Sequence, residues 1–437
     1  MSAPVSRQAP RRRLWRLLCV ATLITTGTLV LTAGTASAAT PAGTYAYVTN
    51  TASATVSVVD TGTNSVIATV PVGNEPVGVA TEPGGTRAYV TNSSSNTVSV
   101  IDTATNTVIA TVAVGQRPQA VAVTPDSSRV YVANDGSATV TVIDAATNAV
   151  TATIPVGSGP EGIALTPDGR HAYVTNTGGA SVSVIDTATT TVTATIAVGL
   201  IPVGAAVTGD GQRVYVADYG SDTVSVIDAS SATVSATIPV GHQPHSVALR
   251  PDGSRLYASN SGDGTVSVID TASNTVTSSI TVGAAPKQIG LTPDGTRGYV
   301  ANLGSANIMA FDTGTGAVTA TVAVGNAPLG LAIGTIRPAP TALRAGTATL
   351  SLLPLGVTGL TATLTSNGSP VPGQTVAFTA TDGTRLCNAV TGANGRATCN
   401  SYNLLTTVSV LLLGYTATFA GNPQYLGSTA HGGIRLL

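Results

Sequence analysis

A tyrosine-centred phrase repeats along this chain at a fixed interval of 42 residues, with no insertion or deletion between copies. The phrase reads Tyr-Val-Thr-Asn, or a near variant, and begins at Tyr47, Tyr89, Tyr131, Tyr173, Tyr215, Tyr257 and Tyr299. A period of this length is typical of repeat architectures, in which each unit covers its apolar faces with its neighbours. The repeat therefore constrains the fold more than any other feature of the sequence.

Each unit contains four short runs that are rich in Val, Ile, Thr and Tyr. In one copy these runs are 131–134, 139–144, 150–157 and 161–166, and Gly, Asn, Asp or Pro bounds each of them. Such runs predict strands joined by turns, and the mature chain shows no sustained helical period. Four strands per unit predict one blade, so the chain is expected to be an all-β, seven-bladed β-propeller, with an open β-solenoid as the alternative.

The phase of the repeat predicts how the ring closes. The run near 45–50 corresponds to the second strand of a blade, whereas the last run, 329–334, corresponds to a first strand. The C-terminal strand of the array should therefore complete the blade begun by the N-terminal three. This closure removes the free sheet edges that an open array would carry.

Residues 1–38 predict a secretory signal peptide. Five arginines between Arg7 and Arg16 precede an apolar segment over 17–33, and Ala36-Ser37-Ala38 is a small-residue cleavage site. Cleavage leaves 14 basic and 20 acidic residues, a formal charge of −6 that disfavours nucleic-acid binding. No later segment is apolar for long enough to span a bilayer, so we expect a secreted or surface-associated protein.

The repeat occupies 39–337, and a different β-domain is predicted over 338–437 after a short Pro-rich linker. The predicted strands of this domain are 360–365, 375–380, 385–390, 397–402, 406–412 and 415–420, a spacing that favours a β-sandwich. Cys387 and Cys399 are predicted to form a disulfide across a hairpin that turns at 392–395. Such a bridge is worth about 3 kcal/mol.

The recurring phrases resemble those of the YVTN-family β-propellers, which include surface-layer and YncE-like proteins. The resemblance covers about 42–337 and rests on Tyr-Val-Thr-Asn, Val-x-Val-Ile-Asp, Val-Gly-x-x-Pro and Thr-Pro-Asp-Gly in constant order. The C-terminal region resembles a bacterial Ig-like domain through 360–364, 372–378, 415–421 and its cysteine pair. These resemblances imply fold and an extracellular setting but no single activity.

Several repeated polar residues are interpreted as structural. The aspartates that end one strand of each unit are expected to fix turns rather than to bind metal: Asp60, Asp102, Asp144, Asp186, Asp228, Asp270 and Asp312. The asparagines of the Tyr-Val-Thr-Asn phrase are also interpreted as turn residues. The Pro-Asp-Gly-like turns are expected to carry exposed ion pairs between Asp126, Asp168, Asp210, Asp252, Asp294 and the nearby Arg129, Arg170, Arg213, Arg255, Arg297.

Function is expected where the copies differ, because departures from the repeat are free to serve a ligand. The differing polar residues should surround one mouth of the channel, and the candidate ligand-binding residues are Glu75, Arg117, Gln119, Glu161, Tyr219, Asp222, His242, His245, Asp263 and Lys287. Glu161 and His245 lie two blades apart and make a poor metal shell. No catalytic residue, metal or other cofactor is predicted.

Three functions follow, in decreasing order of support. The first is a secreted non-catalytic scaffold that binds a cell-wall, glycan or protein partner. The second is a metal-assisted lactonase or lyase that uses Glu161, His245 or Lys287 at the channel mouth. The third, implied by the YncE-like resemblance, is single-stranded nucleic-acid binding, which the negative charge of the mature chain disfavours.

Overall fold

The computed structural model describes residues 40–336, 338, 340–352, 355–366, 368–402, 413–422 and 424–436. The predicted signal peptide lies outside the described residues. Each repeat folds into a four-stranded antiparallel sheet. The two middle strands of each sheet are buried on both faces, since every blade packs between two others. This explains their nearly continuous apolar sequences.

The strands of the repeat region are as follows, in chain order and by blade. Blade 1 holds β1 (Gly43–Asn50), β2 (Thr55–Asp60) and β3 (Ser65–Pro71); blade 2 holds β4 (Pro76–Thr81), β5 (Arg87–Asn92), β6 (Thr97–Asp102) and β7 (Thr107–Ala113); blade 3 holds β8 (Pro118–Val123), β9 (Arg129–Asn134), β10 (Thr139–Asp144) and β11 (Val150–Pro155); blade 4 holds β12 (Pro160–Leu165), β13 (His171–Asn176), β14 (Ser181–Asp186) and β15 (Thr191–Ala197).

Blade 5 holds β16 (Pro202–Val207), β17 (Arg213–Asp218), β18 (Thr223–Asp228) and β19 (Thr233–Pro239); blade 6 holds β20 (Pro244–Leu249), β21 (Arg255–Asn260), β22 (Thr265–Asp270) and β23 (Thr275–Thr281); blade 7 holds β24 (Pro286–Leu291), β25 (Arg297–Asn302), β26 (Asn307–Asp312) and β27 (Val318–Ala323). The last strand of the array is β28 (Pro328–Ile336). Short 3-10 turns lie at Thr51–Ser53, Asp135–Ser137, Thr177–Gly179 and Leu303–Ser305.

Strand β28 closes the ring as the phase of the repeat predicts. It is the innermost strand of the sheet β28-β1-β2-β3, and it pairs antiparallel with β1 from Gly43 opposite Ile336 to Asn50 opposite Pro328. Each innermost strand also contacts the next around the ring, and β28 contacts β4. The prediction of a closed seven-bladed propeller is confirmed.

The repeated tyrosines and aliphatic residues pack the seams between blades. Between blades 2 and 3, for example, Tyr89, Val98 and Val100 lie in one cluster with Val132 and Ile143. Small residues are required where the innermost strands approach one another. A Cβ atom on Gly162 would collide with the carbonyl oxygen of Val203 in the next blade.

The asparagines that end the second strand of six blades are buried, so their interpretation as turn residues was wrong. Asn50 is fully buried, and its Nδ2 donates to Thr55 Oγ1 at 3.1 Å and to Ser57 Oγ at 2.9 Å. Asp218 takes this place in blade 5, where its Oδ2 accepts from Ser225 Oγ at 2.6 Å. Burial raises the pKa of Asp218.

The arginines near the Pro-Asp-Gly turns mostly bridge blades, so the predicted ion pairs were wrong at these positions. Five of them donate from Nη1 to a backbone carbonyl oxygen of the following blade: Arg87 to Ala145, Arg129 to Thr187, Arg213 to Thr271, Arg255 to Thr313 and Arg297 to Thr61. They begin the second strand of their blade, and the long side chain reaches across the seam. The predicted ion pair forms between Arg170 and Asp168, at 3.8 Å and well exposed.

The seven strand-ending aspartates act in turns, as expected. Asp228 accepts hydrogen bonds from the amides of Ser230 and Ser231 at 3.0 and 2.9 Å. The Ser230 hydroxyl and the Ser231 amide hold the pKa of Asp228 at about 2. These hydrogen bonds give the carboxylate a structural role in its turn.

The C-terminal strands form two sheets that share one apolar core. The strands are β29 (Ala342–Ala345), β30 (Ala348–Leu352), β31 (Leu355–Ser366), β32 (Ser369–Pro370), β33 (Thr375–Ala380), β34 (Arg385–Val390), β35 (Arg396–Ser401), β36 (Tyr415–Phe419), β37 (Ser428–Gly432) and β38 (Ile434–Leu436). One sheet has the order β29-β31-β30-β38, with β32 and β35 also on β31, and the other has the order β34-β33-β36-β37. Leu360 and Leu364 of the first pack with Phe378 and Phe419 of the second.

This arrangement is a β-sandwich, and its Ig-like character stays a prediction. The predicted strand over 406–412 lies outside the described residues. The other predicted strands of this region are present within one or two residues of their expected bounds, apart from β31, which begins earlier.

The cysteine pair joins the two sheets of the sandwich rather than two strands of one hairpin. Cys387 lies on β34, which pairs with β33, whereas Cys399 lies on β35, which pairs with β31. The expected turn is present, with the Gly395 amide donating to the Gly392 carbonyl at 2.8 Å, but it leads the chain from one sheet to the other. The hairpin expectation was therefore wrong. The two cysteines lie at disulfide distance, with their Cα atoms 6.5 Å apart. Formation of the disulfide stays a prediction, which titration of free thiols in the purified protein tests.

Candidate functional site

The innermost strands bring one variable position of every blade to the same end of the channel. Each of these strands begins at a proline, and the residue after that proline stands at the same register in each blade. We call these residues the channel ring: Val77, Gln119, Glu161, Val203, His245, Lys287 and Leu329. Blades 1, 2 and 5 contribute apolar members, whereas blades 3, 4, 6 and 7 contribute polar ones.

A cavity of about 90 Å³ lies inside this end of the channel. Gln119, Glu161 and His245 of the ring line it, together with the small residues that follow them in each strand and Gln288 of blade 7. The volume holds roughly half a dozen waters or a ligand of similar size. Three of the residues predicted to surround the mouth, Gln119, Glu161 and His245, therefore line one small cavity, and their role in ligand binding stays a prediction.

Glu161 is the acidic member of the ring and faces the channel. Its side chain retains a little solvent contact, but protein atoms surround it on most sides. Burial, aided by the nearby charge of Asp135, raises the pKa of Glu161 to about 7, although Lys287 and Arg117 act in the opposite direction. Its carboxylate is thus costly to ionise in the absence of a positive partner.

Lys287 and His245 are the basic members of the ring, on adjacent blades. Burial lowers the pKa of Lys287, and Glu161 partly opposes this effect. Burial and the Lys287 charge lower the pKa of His245 to about 3, so its imidazole is neutral near pH 7. Nδ1 of His245 is buried and has no hydrogen-bond partner within the described residues.

The two opposite charges of the ring do not form an ion pair. Glu161 and Lys287 are close enough to influence each other's pKa, yet no ion pair of 4.0 Å or less involves either residue in the described part of the chain. The Lys287 ammonium instead lies 5.9 Å from the centroid of the Tyr219 ring. The channel thus holds one acidic and one basic side chain, both partly desolvated, and neither has a counterion at contact distance among the described residues.

Hydroxyl groups of other strands bond to the backbone carbonyls of several ring residues and leave the ring side chains unused. Ser259 Oγ of blade 6 donates to the carbonyl oxygen of Lys287 at 2.6 Å, and Thr175 Oγ1 of blade 4 donates to that of Val203 at 2.6 Å. These hydroxyls belong to the Tyr-Val-Thr-Asn phrase or its variants. The scaffold therefore positions the ring strands while the ring side chains remain available.

The remaining candidate residues lie in the loops above the ring. Arg117 pairs with Asp135 at 2.6 Å, and both influence the pKa of Glu161. Glu75 accepts a hydrogen bond from the hydroxyl of Ser94. These contacts place Arg117 in the electrostatic surroundings of the cavity and leave Glu75 in a loop-to-loop bond.

Asp222, His242 and Asp263 support loops rather than line the cavity. Asp222 accepts from the Gln243 amide at 2.8 Å and lies 3.0 Å from His242 Nδ1. Asp263 accepts from the His242 amide at 2.7 Å. Serine hydroxyls make the same contact in other blades, for example Ser221 with the Leu200 amide, so Asp263 has a scaffold role.

Two residues near the cavity were not predicted from the sequence. Asp135 stands at the repeat position that Tyr219 occupies in blade 5, and Gln288 directly follows Lys287. Asp135 departs from the Ser or Thr found there in several copies, so the rule of searching where copies differ would have found it if applied to every turn. Gln288 departs from its repeat position as well, where the other six copies have Gly, Ala or Ser, so the same rule would have found it.

Within the described residues, no group of three or more His, Cys, Asp or Glu side chains is arranged to hold a metal ion. In the same part of the chain no helix is long and apolar enough to cross a membrane.

Comparison with family models agrees with this geometry. Residues 76–177 match the model of the YNCE-like beta-propeller, and residues 144–332 match that of the lactonase, 7-bladed beta-propeller. The repeat region is a seven-bladed β-propeller that is similar to both of these family models. No curated protein sequence matches the chain.

The propeller also resembles solved structures of other proteins. Hydrazine synthase of Kuenenia stuttgartiensis is 24% identical with a TM-score of 0.55, over 59% of this chain and 89% of that one. A functionally unknown protein of Desulfotomaculum acetoxidans is 19% identical with a TM-score of 0.61, over 67% and 99%. The dihydro-heme d1 dehydrogenase NirN is 15% identical with a TM-score of 0.51, over 66% and 74%. Likeness at these identities establishes the fold alone.

Proposed function

We propose that this protein is a secreted, non-catalytic binding scaffold whose ligand-contacting surface is the channel ring. The observation that carries this proposal is the change at one repeat position. Val or Leu occupies this position in three blades. Three other blades place Glu161, His245 and Lys287 there, and burial shifts the pKa of each towards its neutral form, which makes ionisation unfavourable. Buried polar groups without protein partners are retained most readily where a ligand supplies the partner.

Binding agrees with the ring better than catalysis does. A general base needs a neighbouring group that orients it and a nucleophile or substrate proton within hydrogen-bond reach. Glu161 and His245 lie two blades apart, and no hydrogen bond joins them in the described part of the chain. The imidazole with a pKa near 3 is also a weak proton acceptor near pH 7.

An extracellular setting and a polar macromolecular partner complete the proposal. The N-terminal segment has the pattern of a signal peptide, and only 9% of the chain is charged. The outer strands present mainly Thr, Ser, Ala and Val, a surface suited to weak contacts with cell wall, glycan or protein. The sandwich domain would act as a spacer or docking module.

The test uses a variant in which the ring resembles that of the apolar blades. Glu161→Val, His245→Val and Lys287→Val together should fold, because Val77 and Val203 already occupy the same position. Thermal shift with cell-wall fragments, glycans and small polar metabolites should give ligands that stabilise the wild type but not this variant, since binding to the native state raises its midpoint. Ligands that stabilise both proteins equally would place the binding surface elsewhere.

The lactonase match supports a second candidate function. It spans 144–332 and thus includes Glu161, His245 and Lys287. A panel of lactones, assayed with chelator and then with calcium, magnesium, manganese or zinc, should show hydrolysis that Glu161→Gln or His245→Ala abolishes if this function is correct. Turnover that depends on either residue would replace the scaffold proposal.

A further inference from the structure

The unpaired charges of the channel ring indicate which ligands it accommodates, and this inference rests on the proposed binding function. Glu161 of blade 4 and Lys287 of blade 7 are three blades apart, so they approach the channel from different sides. Each charge is partly desolvated, and neither has an ionic partner within 4.0 Å among the described residues. A desolvated charge without a partner is unfavourable, and a ligand charge at contact distance removes that penalty.

A ligand with a single charge can pair with only one of the two residues, Glu161 or Lys287. A cation at Glu161 leaves Lys287 unpaired and adds a repulsive charge near it, whereas an anion at Lys287 does the same to Glu161. Glu161 lines the cavity whereas Lys287 does not, so a ligand that carries one charge of each sign reaches from the cavity to Lys287, pairs with both residues and leaves the ring neutral. The electrostatics of the ring therefore favour a dipolar ion over either monovalent ion.

The other polar members of the ring supply hydrogen bonds without net charge. His245 is neutral, and its buried Nδ1 has no partner in the described structure. The amide of Gln119 lines the same cavity and can donate as well as accept. The cavity of about 90 Å³ limits the ligand, or the part of a ligand that enters, to a few non-hydrogen atoms.

We propose that the channel ring binds a small zwitterion, with the ammonium group of the ligand at Glu161 and its carboxylate at Lys287. Free amino acids and short ω-amino acids have this chemistry. The distance between Glu161 and Lys287 then determines which separation of the two ligand charges binds best.

A series of ω-amino acids measures that separation directly. Isothermal titration of the full mature chain with glycine, β-alanine, γ-aminobutyrate and ε-aminocaproate should show one preferred length. At that length, the matching amine and the matching carboxylic acid should each bind about tenfold more weakly or worse, because each leaves one ring charge unpaired. Equal binding of a singly charged analogue overturns the inference.

Variants assign the two ligand charges to the two residues. Glu161→Gln and Lys287→Gln should each weaken the zwitterion about tenfold or more, and Glu161→Gln should leave the affinity for the matching acid unchanged or higher. Asp222→Asn is the control, because Asn96 occupies the equivalent position of blade 2 and Asp222 lies in a loop. Its affinity should equal that of the wild type. Thermal midpoints of all variants establish that they are folded.

The outcomes separate this inference from the proposed function. If no zwitterion binds but a glycan or other ligand stabilises the wild type and not the valine-ring variant, the zwitterion inference is wrong and the binding function stands. If no ligand distinguishes the wild type from that variant, both are wrong. A zwitterion that binds equally to Glu161→Gln and Lys287→Gln would also overturn the inference.

Discussion

The two ends of the blades use the same repeat in different ways. At the end with the Pro-Asp-Gly turns, arginine side chains cross five of the seams between blades and bond to backbone carbonyls. At the channel-ring end, short hydroxyl side chains hold the backbone of the ring strands, as Ser259 does for Lys287. At the first end, the long arginine side chains are used for stability. At the second end, the side chains of the channel ring make no such bonds and remain available to a ligand. Substitution should therefore affect stability at the first end and ligand binding at the second.

The largest effect on stability is expected from an arginine that bridges blades. Arg255 Nη1 donates to the carbonyl of Thr313 at 2.7 Å, and Thr313 is buried. Arg255→Ala should lower the free energy of unfolding by about 2 kcal/mol, since it removes a charge-assisted bond, while the Thr313 carbonyl keeps its hydrogen bond from the Tyr257 hydroxyl at 3.0 Å. Arg170→Ala, which removes only an exposed ion pair, should change it by less than about 0.5 kcal/mol. Urea unfolding that shows equal losses for both would remove the distinction between the bridging and the exposed arginines.

At the ring end, Glu161 should make stability depend on pH. Its folded-state pKa of about 7 lies above its ordinary value of 4.5, so its contribution is fully present below pH 4.5 and is lost as pH rises through 7. Relative to Glu161→Gln, the wild type should lose on the order of 1–2 kcal/mol between these limits. The difference between the two proteins cancels the opposite contribution of His245, which has a lowered pKa. A difference that is constant from pH 4 to 8 would show that Glu161 is not perturbed.

Asp218 offers a substitution that restores the repeat. Burial raises the pKa of this carboxyl, which therefore destabilises the folded protein increasingly as pH rises through its folded-state pKa. Asp218→Asn should increase stability at pH 8 by about 1 kcal/mol, because the amide can donate to Thr223 and Ser225 as the asparagines of the other blades do. The gain should shrink at low pH. A loss of stability at pH 8 would show that the charge itself is needed.

The smallest gain is expected at the seam between blades 4 and 5, which lacks a bridging arginine. His171 occupies the arginine position, and a cavity lined by His171, Asp168, Gln212 and Ala229 lies beside it. His171→Arg should bond to the Ala229 carbonyl and raise stability by about 0.5 kcal/mol, while His171→Ala should be nearly neutral. Thermal unfolding of both variants checks this, and no difference between them would mean that the arginine cannot reach.

Local sequence patterns predicted the blades well because the repeat exposes the role of each position. The strand runs, the aspartate turns and the closure by β28 follow from spacing alone. The roles of Arg255 and Asn50 did not, because their partners are defined by packing. Arg255 bonds to a carbonyl 58 residues further on, in the next blade. The asparagines point into their own sheet instead of into a turn.

The candidate site was predicted only in part, and for a similar reason. Gln119, Glu161, His245 and Lys287 share one repeat position, so the spacing alone brings them into one ring. Asp222 and Asp263 also depart from the repeat, yet their carboxylates bond to loop amides as side chains of other blades do. A departure in residue type is thus not always a departure in role, and only the hydrogen bonds separate the two cases.

The pairing of β1 with β28 has a mechanical consequence. The segments that precede Gly43 and follow Ile336 leave blade 1 side by side, because these two residues are partners at one end of an antiparallel pair. Tension between the two segments would peel the strands apart one residue pair at a time, the geometry of a zipper rather than of a shear joint. The other blades would carry no force until that seam opened. Under tension, the propeller should therefore open at a low force and always between β1 and β28, however stable it is to heat.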